Sequence, residues 1–164
     1  MLLIRPATTS DVKAIRELVD SYAAPGQMLA KETVTLFESV QEFSVAELDG
    51  QVVGCAALHI LWEDLAELRT VAVQGNFQRQ GIGHQLLEKI IERAREIGVS
   101  RIFCLTFQIE FFGRHGFAPI NGTPVEPAVY QQLLHSYDAG TAEFLDLESV
   151  KPNTLGNTRM LLTL

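Results

Sequence analysis

Apolar residues recur at every second position in some stretches and at every third or fourth in others, which predicts strands alternating with helices. Strands are predicted at residues 2–6, 43–48, 51–62, 65–73, 101–106 and 159–164. Helices are predicted at residues 11–22, 32–40, 82–97, 110–115 and 127–136. The helix at 82–97 carries apolar residues on one face and charged residues on the other, which is typical of a helix packed on a sheet.

Two connections between these elements determine the fold class. Asp49-Gly50 separates the second and third strands and is a strong β-hairpin signal. The fourth strand leads through the long helix to the fifth strand, and such a crossover makes two strands parallel. We therefore predict one α/β (α+β) domain over residues 1–164, with a mixed central sheet and helices on both faces.

Composition and charge exclude several classes of protein. Of the 164 residues 47% are hydrophobic, too many for a disordered chain. With 20 acidic and 13 basic residues the net charge is −7, so nucleic acid is not an expected partner. The longest apolar run, at residues 52–62, is too short to span a membrane. We expect a cytoplasmic protein without a membrane partner.

Cysteine and histidine give no sign of a metal site. The two cysteines lie in separate apolar stretches, where reduced and buried thiols are expected. The four histidines have no metal-ligand spacing, and we expect them to be structural or exposed.

Glycines mark the turn between the fourth strand and the long helix, where the sequence reads Gln78-Arg79-Gln80-Gly81-Ile82-Gly83-His84. Glycine allows a ligand to approach the backbone closely, and the free N–H groups at a helix start attract anions. The turn therefore favours a pyrophosphate group, although glycine needed for turn geometry alone is the alternative. It lacks the third glycine of a dinucleotide fingerprint and the Lys of a P-loop.

This region resembles the acyl-CoA signature of the GCN5-related N-acetyltransferase (GNAT) superfamily. That signature is Gln/Arg-x-x-Gly-x-Gly/Ala after Val-x-Val, and the matching residues here are Gln78, Gly81 and Gly83 after Val71-Ala72-Val73. A later segment, residues 112–117, matches the superfamily's aromatic-x-x-x-Gly-Phe ending. The resemblance implies acetyl-CoA as cosubstrate and direct attack of an amine on its thioester. The implied CoA contacts are the backbone of Val71 and Val73 for pantetheine, and the N–H groups of Gln78, Arg79, Gln80, Gly81, Ile82, Gly83 and His84 for pyrophosphate.

Residues 67–73, 111–117 and 151–160 further resemble short amino-acid N-acetyltransferases, the N-acetylglutamate synthases of arginine biosynthesis that lack a kinase-like domain. This resemblance implies acetylation of an amino acid at its α-amino group, with L-glutamate as acceptor. An acetyltransferase for another small amine or a peptide N-terminus is one alternative, and a non-catalytic acyl-CoA-binding regulator is another. The sequence leaves open whether the chain forms a homodimer.

The same resemblance implies roles for individual residues. Glu67 matches a strand glutamate proposed as general base, and its alternative is a strand-edge glutamate that is exposed to solvent or paired with Arg69. Thr106 matches a hydroxyl that assists the departing thiolate, unless it is an ordinary strand threonine. Phe112 stands where many members have a general-acid Tyr, so the proton donor has no assignment. The candidates for binding the carboxylates of glutamate are Lys31, Arg69, Thr158 and Arg159.

Overall fold

The computed structural model of the chain describes residues 1–23, 32–146 and 156–164. The described strands form one sheet in the order β1-β2-β3-β4-β5-β7-β6. These strands are β1 (Leu2–Pro6), β2 (Phe43–Leu48), β3 (Gln51–Trp62), β4 (Leu65–Val73), β5 (Arg101–Thr106), β6 (Ala118–Pro119) and β7 (Thr158–Thr163). The described helices are α1 (Val12–Ala23), α2 (Thr33–Glu38), α3 (Ile82–Ile97), α4 (Ile109–Gly113), α5 (Pro127–Leu133) and α6 (Ala139–Phe144).

The sheet is mixed, as the sequence predicts. β4 and β5 are parallel and are joined by α3, whereas the other neighbouring pairs are antiparallel. The β2–β3 hairpin turns at Asp49 and Gly50, whose φ angles of 49° and 84° are the positive values that such a tight turn requires. The predicted fold class is therefore confirmed.

Helices cover both faces of this sheet. The buried face of α3 packs on one side of β1 to β4, and α1 packs on the opposite side of β3 and β4. Alternation along a strand explains this division, because Ala46 belongs to the α3 core and its neighbour Val45 to the α1 core. A third cluster joins Phe103 of β5 to Phe144 of α6, ring to ring at 4.8 Å.

Among the strands and α-helices of the described residues, two are not predicted by the sequence pattern. β6 has only two residues, and α6 has six, with a glycine at its second position. Neither is long enough to show a hydrophobic period. The predicted helix at residues 127–136 ends earlier, at Leu133, and α4 begins at Ile109 rather than at residue 110.

Strand β4 leaves its parallel partner part-way along its length. The register with β5 ends at the pair Glu67 and Phe103, and β4 continues to Val73. Its pairing with β3 shifts between Cys55 and Ala57, opposite Thr70, whose φ of 59° is unusual for a β-branched residue. This bulge and the end of the β5 pairing open the sheet beyond Glu67.

Candidate active site

A cleft of about 930 Å³ lies where β4 and β5 separate. Both strands, the glycine turn before α3 and the start of α6 contribute to its lining. It brings together ten of the residues predicted from sequence, namely Glu67, Arg69, Val71, Val73, Gln78, Arg79, Gly81, Gly83, His84 and Thr106. Ile82 instead packs into the α3 core, where 3% of it is exposed.

The glycine turn and the first residues of α3 form a cradle of backbone N–H groups that suits a pyrophosphate. Gly81 is the N-cap of α3 and has a φ of 82°, which favours glycine because a side chain there is strained. A Cβ on Gly83 would lie 3.4 Å from the Phe111 ring, on the cleft wall. The first N–H groups of an α-helix have no partner within it, so this turn supplies backbone donors to an anion.

The backbone of Val73 faces the cleft. Gln74 N donates to Val53 O across the β3–β4 ladder at 2.8 Å, so the N–H and C=O of Val73 point away from β3. There the Tyr22 hydroxyl donates to Val73 O and accepts from Val73 N, both at 3.1 Å. The chain itself therefore occupies backbone groups that sequence reasoning assigns to pantetheine.

Glu67 is the buried carboxylate of the cleft. It pairs with His59 on β3 and Phe103 on β5, and only 4% of the residue is exposed. Arg69 Nε donates to its Oε1 at 2.7 Å. Burial raises the pKa of the Glu67 carboxyl above its ordinary value, and the Arg69 guanidinium opposes that rise. A raised pKa makes Glu67 a better proton acceptor.

Arg69 lies between two carboxylates of the chain. Its second contact is from Nη2 to Asp138 Oδ1, at 2.6 Å. Burial opposes ionisation of Asp138, but the bond to Arg69 holds the pKa of that carboxyl well below its usual range. Sequence reasoning missed Asp138, because it lies in a stretch without a periodic pattern.

Thr106 ends β5 at the edge of the cleft and is 8% exposed. Its Oγ1 accepts a hydrogen bond from Gln108 N at 2.7 Å, which leaves the hydroxyl proton available as a donor. Phe112 also lines the cleft, packed edge-on against Phe111 and Phe117, and its side chain carries no proton to give.

The other substrate-binding candidates have different surroundings. Arg159 lies over the Phe103 ring at 4.8 Å and donates to the carbonyls of Gly122, at 3.0 Å, and Phe144. Thr158 pairs with Thr106 across the β5–β7 ladder. Lys31 lies outside the described residues. The substrate contacts of all four candidates, Arg69 included, stay predictions.

His84 and Cys104 line the cleft, and the other histidines and cysteine lie outside its lining. His84 Nδ1 lies 2.7 Å from His115 Nε2 at the start of α3, and both cysteines are buried and free. Burial raises the pKa of the Cys55 thiol to about 12, so it stays protonated. Within residues 1–23, 32–146 and 156–164, no group of three or more His, Cys, Asp or Glu is placed to hold a metal ion. None of the described helices is long and apolar enough to cross a membrane.

Comparison with known proteins identifies the family. The sequence model of the "Acetyltransferase (GNAT) family" matches residues 12–117 of this chain. The chain belongs to the GNAT acetyltransferase family. The amino-acid acetyltransferase of Mycobacterium tuberculosis is 55% identical over 165 residues, covering 99% of this chain and 94% of that protein. The amino-acid acetyltransferase of Pseudomonas putida is 33% identical over 144 residues, which are 87% of this chain and 33% of that longer protein.

This GNAT chain is also similar to two solved structures that contain coenzyme A. Rv2747 from Mycobacterium tuberculosis, in complex with CoA and NLQ, shares 55% identity over 99% of both chains, with a TM-score of 0.95. N-acetylglutamate synthase from Neisseria gonorrhoeae, complexed with coenzyme A and N-acetyl-glutamate, shares 27% identity with a TM-score of 0.79. That match covers 100% of this chain and 35% of the synthase.

Proposed function

We propose that this chain transfers the acetyl group of acetyl-CoA to the α-amino group of an amino acid, with L-glutamate as acceptor. The observation that carries the proposal is the buried carboxylate of Glu67, which lies in the same cleft as the glycine turn of α3. Two relatives support it, because one is named an amino-acid acetyltransferase and the other was solved with coenzyme A and N-acetyl-glutamate. We also propose that residues 1–164 form one acetyltransferase domain, located in the cytoplasm.

Glu67 serves as the proton acceptor in this proposal. The amino group of an amino acid is an ammonium at neutral pH and must lose a proton before it attacks a thioester. Arg69 holds Oε1 of Glu67, and a carboxylate retains further lone pairs for that proton. Burial favours the protonated form of Glu67. Proton transfer from the ammonium to Glu67 is therefore easier than proton transfer to a solvated carboxylate.

Thr106 and the backbone serve the leaving group and the CoA arm. The Thr106 hydroxyl has its proton free to stabilise the departing thiolate, since its oxygen already accepts from Gln108 N. Val71 and Val73 offer main-chain groups to the amides of pantetheine, as an open strand edge does for a peptide. The N–H groups from Gln78 to His84 hold the pyrophosphate.

A dicarboxylate acceptor requires cations from more than one element. Arg69 lines the cleft beside Glu67, and Arg159 lies on β7 with its guanidinium over the Phe103 ring. We propose that these two bind the acceptor carboxylates together with Lys31 and Thr158. Charge-assisted hydrogen bonds to a carboxylate contribute about 1.5–3 kcal/mol each, so losing one changes kcat/KM by about tenfold to hundredfold.

The decisive experiment measures thiol release from acetyl-CoA with a panel of free amino acids and a peptide N-terminus. Glutamate should be acetylated about tenfold to hundredfold better than glutamine, which lacks only the side-chain charge. Equal rates on the two would remove the dicarboxylate site and leave the acetyltransferase intact. Binding of acetyl-CoA without thiol release on any acceptor would favour a regulator instead.

A further inference from the structure

Three charged side chains of the cleft lining, Glu67, Arg69 and Asp138, form a row. The row ends at the N-cap of α6, a helix that the proposed reaction does not use. Arg69 bonds to Glu67 at 2.7 Å and to Asp138 at 2.6 Å, and its own side chain is 12% exposed. Asp138 lies 69 positions from Arg69 along the chain. The side chain of Asp138 is 33% exposed, so it is the outer member of the row.

The backbone of α6 fixes the position of the Asp138 carboxylate. Oδ1 of Asp138 is the N-cap acceptor of α6 and bonds to Thr141 N at 2.8 Å, while it also accepts from Arg69. A Cβ on Gly140 would lie 2.4 Å from Arg69 Nη2. A side chain at this position would therefore displace the guanidinium from the start of α6. The N-cap bond therefore orients the Asp138 carboxylate, and Gly140 leaves space for the guanidinium that bonds to it.

We propose that Asp138 is a positioning residue for the proton acceptor Glu67, acting through the shared guanidinium of Arg69; this rests on the proposed function. Without Asp138, Arg69 would neutralise Glu67 alone and make it a weaker base. With Asp138 present, one positive charge serves two carboxylates, and Glu67 keeps its affinity for a proton. Asp138 also fixes the guanidinium, so that it contacts Glu67 from one side only.

Asp138→Asn tests this inference, because Asn is an equally good N-cap and lacks only the charge. The pH profile of kcat/KM should keep its shape while its acid limb moves about one unit lower, since Glu67 then loses its proton more readily. This substitution does not alter the other titratable and charged residues that face Glu67. They are His59 on β3, Arg69 on β4, Cys104 on β5, Glu143 on α6 and Arg159 on β7.

The matched control is Asp64→Asn, which removes the carboxylate of another Asp–Arg pair, bonded at 3.0 Å to Arg101 away from the cleft. Its profile should coincide with that of the wild type. The same shift should appear in a direct NMR titration of the Glu67 carboxyl carbon, which requires no turnover. If the wild type acetylates amino acids and neither profile moves in Asp138→Asn, the inference is wrong. If the wild type acetylates no acceptor, the proposed function fails and the titration still decides the inference.

A separate observation concerns Tyr22, at the end of α1. Its hydroxyl makes three hydrogen bonds at 3.1 Å, donating to Val73 O and accepting from Val73 N and Gln78 Nε2. A phenol has one proton and accepts two bonds, so these contacts use it fully. Gln78 Nε2 also donates to Val73 O at 3.2 Å. At Val73 the polar edge of β4 is thus occupied by side chains of the chain itself.

We infer that the Tyr22 hydroxyl is a built-in competitor for this part of the CoA site, which acyl-CoA displaces on binding. The inference rests on the proposed use of the Val73 backbone by CoA. A hydrogen bond between neutral groups contributes about 0.5–1.5 kcal/mol net, so the competition costs affinity. Removing the hydroxyl should therefore strengthen CoA binding, whereas a residue that contacts CoA directly would weaken it when removed.

Calorimetric titration of CoA into Tyr22→Phe should give a Kd about twofold to tenfold lower than in the wild type. Tyr130→Phe is the matched control, because its hydroxyl bonds to Leu145 O at 3.3 Å, outside the cleft. In protein labelled with 3-fluorotyrosine, the Tyr22 resonance should move on CoA addition. An unchanged or higher Kd in Tyr22→Phe, with a resonance that stays in place, would overturn the inference. Absence of CoA binding in the wild type would overturn the proposed function as well.

Discussion

Replacing Glu67 by Gln tests the proton acceptor while preserving its shape. Gln can still accept the Arg69 Nε hydrogen bond at Oε1 but cannot take a proton from an ammonium. General-base catalysis contributes about 10²–10⁴ in rate, so kcat near neutral pH should fall by about that factor. The loss should shrink at high pH, where more of the substrate amine is already neutral.

The structure also sets the expected cost in stability. Removing one partner of a buried ion pair costs about 3–5 kcal/mol when the other charge is left alone. Arg69 is not left alone in Glu67→Gln, because Asp138 stays bonded to it at 2.6 Å. We therefore expect a loss below about 3 kcal/mol and a variant that still folds.

The pH dependence of that loss follows from the direction of the Glu67 pKa. Burial raises the folded-state pKa, so the folded chain binds a proton at Glu67 more readily than the unfolded chain does. The contribution of the Glu67 carboxyl to the free energy of unfolding is complete below its pKa in the unfolded chain. That contribution disappears as the pH rises through its pKa in the folded chain. The stability difference between the wild type and the variant should consequently be greatest in acid.

Steady-state kinetics across pH and thermal unfolding measure these two effects, and calorimetry should show acetyl-CoA binding unchanged. Glu47→Gln is a matched control, because Glu47 is also a strand glutamate bonded to an arginine, at 2.9 Å from Arg5, outside the cleft. Near-normal turnover of Glu67→Gln at neutral pH would refute the base assignment and return Glu67 to a structural ion pair.

Two further substitutions test the cradle and an ion pair remote from it. Gly83→Val should weaken acetyl-CoA binding at least tenfold, or about 1.4 kcal/mol, because a Cβ there already lies 3.4 Å from the Phe111 ring and branched methyl groups would crowd the start of α3. Unchanged affinity by calorimetry would discard the cradle. Asp11→Asn should lower the free energy of unfolding near pH 7 by about 2 kcal/mol, because the hydrogen bond from Arg5 lowers the Asp11 pKa from 3.8 to about 2. In chemical denaturation this difference should vanish as the pH falls from about 4 toward 2, and a constant difference would contradict the assignment.

Local signals account for the features that the sequence predicts well. Asp49-Gly50 has positive φ at both positions, and the strands on either side of it have the predicted bounds. The glycine turn is also determined locally, because Gly81 has the positive φ that its place before α3 requires. In each case a few consecutive residues determine the backbone, so no distant partner has to be known.

The parts of the site that sequence reasoning misses depend on distant partners. Tyr22 reads as an apolar residue on the buried face of a helix, yet its hydroxyl bonds to a strand 51 positions away. From the sequence, Gly140 is a residue that weakens a helix. Its role is evident only in the folded structure, where the absence of a Cβ leaves space for the Arg69 guanidinium. Arg69 and Arg159 are both predicted from the sequence to bind substrate. Their partners Asp138, at the N-cap of α6, and Phe144 O, within α6, lie in a stretch that shows no periodic pattern.

The end of the β4–β5 pairing explains why the proposed base and the CoA contacts belong to one strand. Glu67 is the last residue of β4 paired with β5, so neighbours on both sides hold its backbone. From Leu68 onward the edge of β4 is no longer paired with β5. In the proposed complex Val71 and Val73 bind a ligand's amides there, once the Tyr22 hydroxyl is displaced from Val73. Residues rise about 3.3 Å each along a strand, so Val73 and Glu67 are separated by about 20 Å. A ligand anchored by its pyrophosphate at the start of α3 and extended along this edge therefore brings its far end, the thioester, toward Glu67.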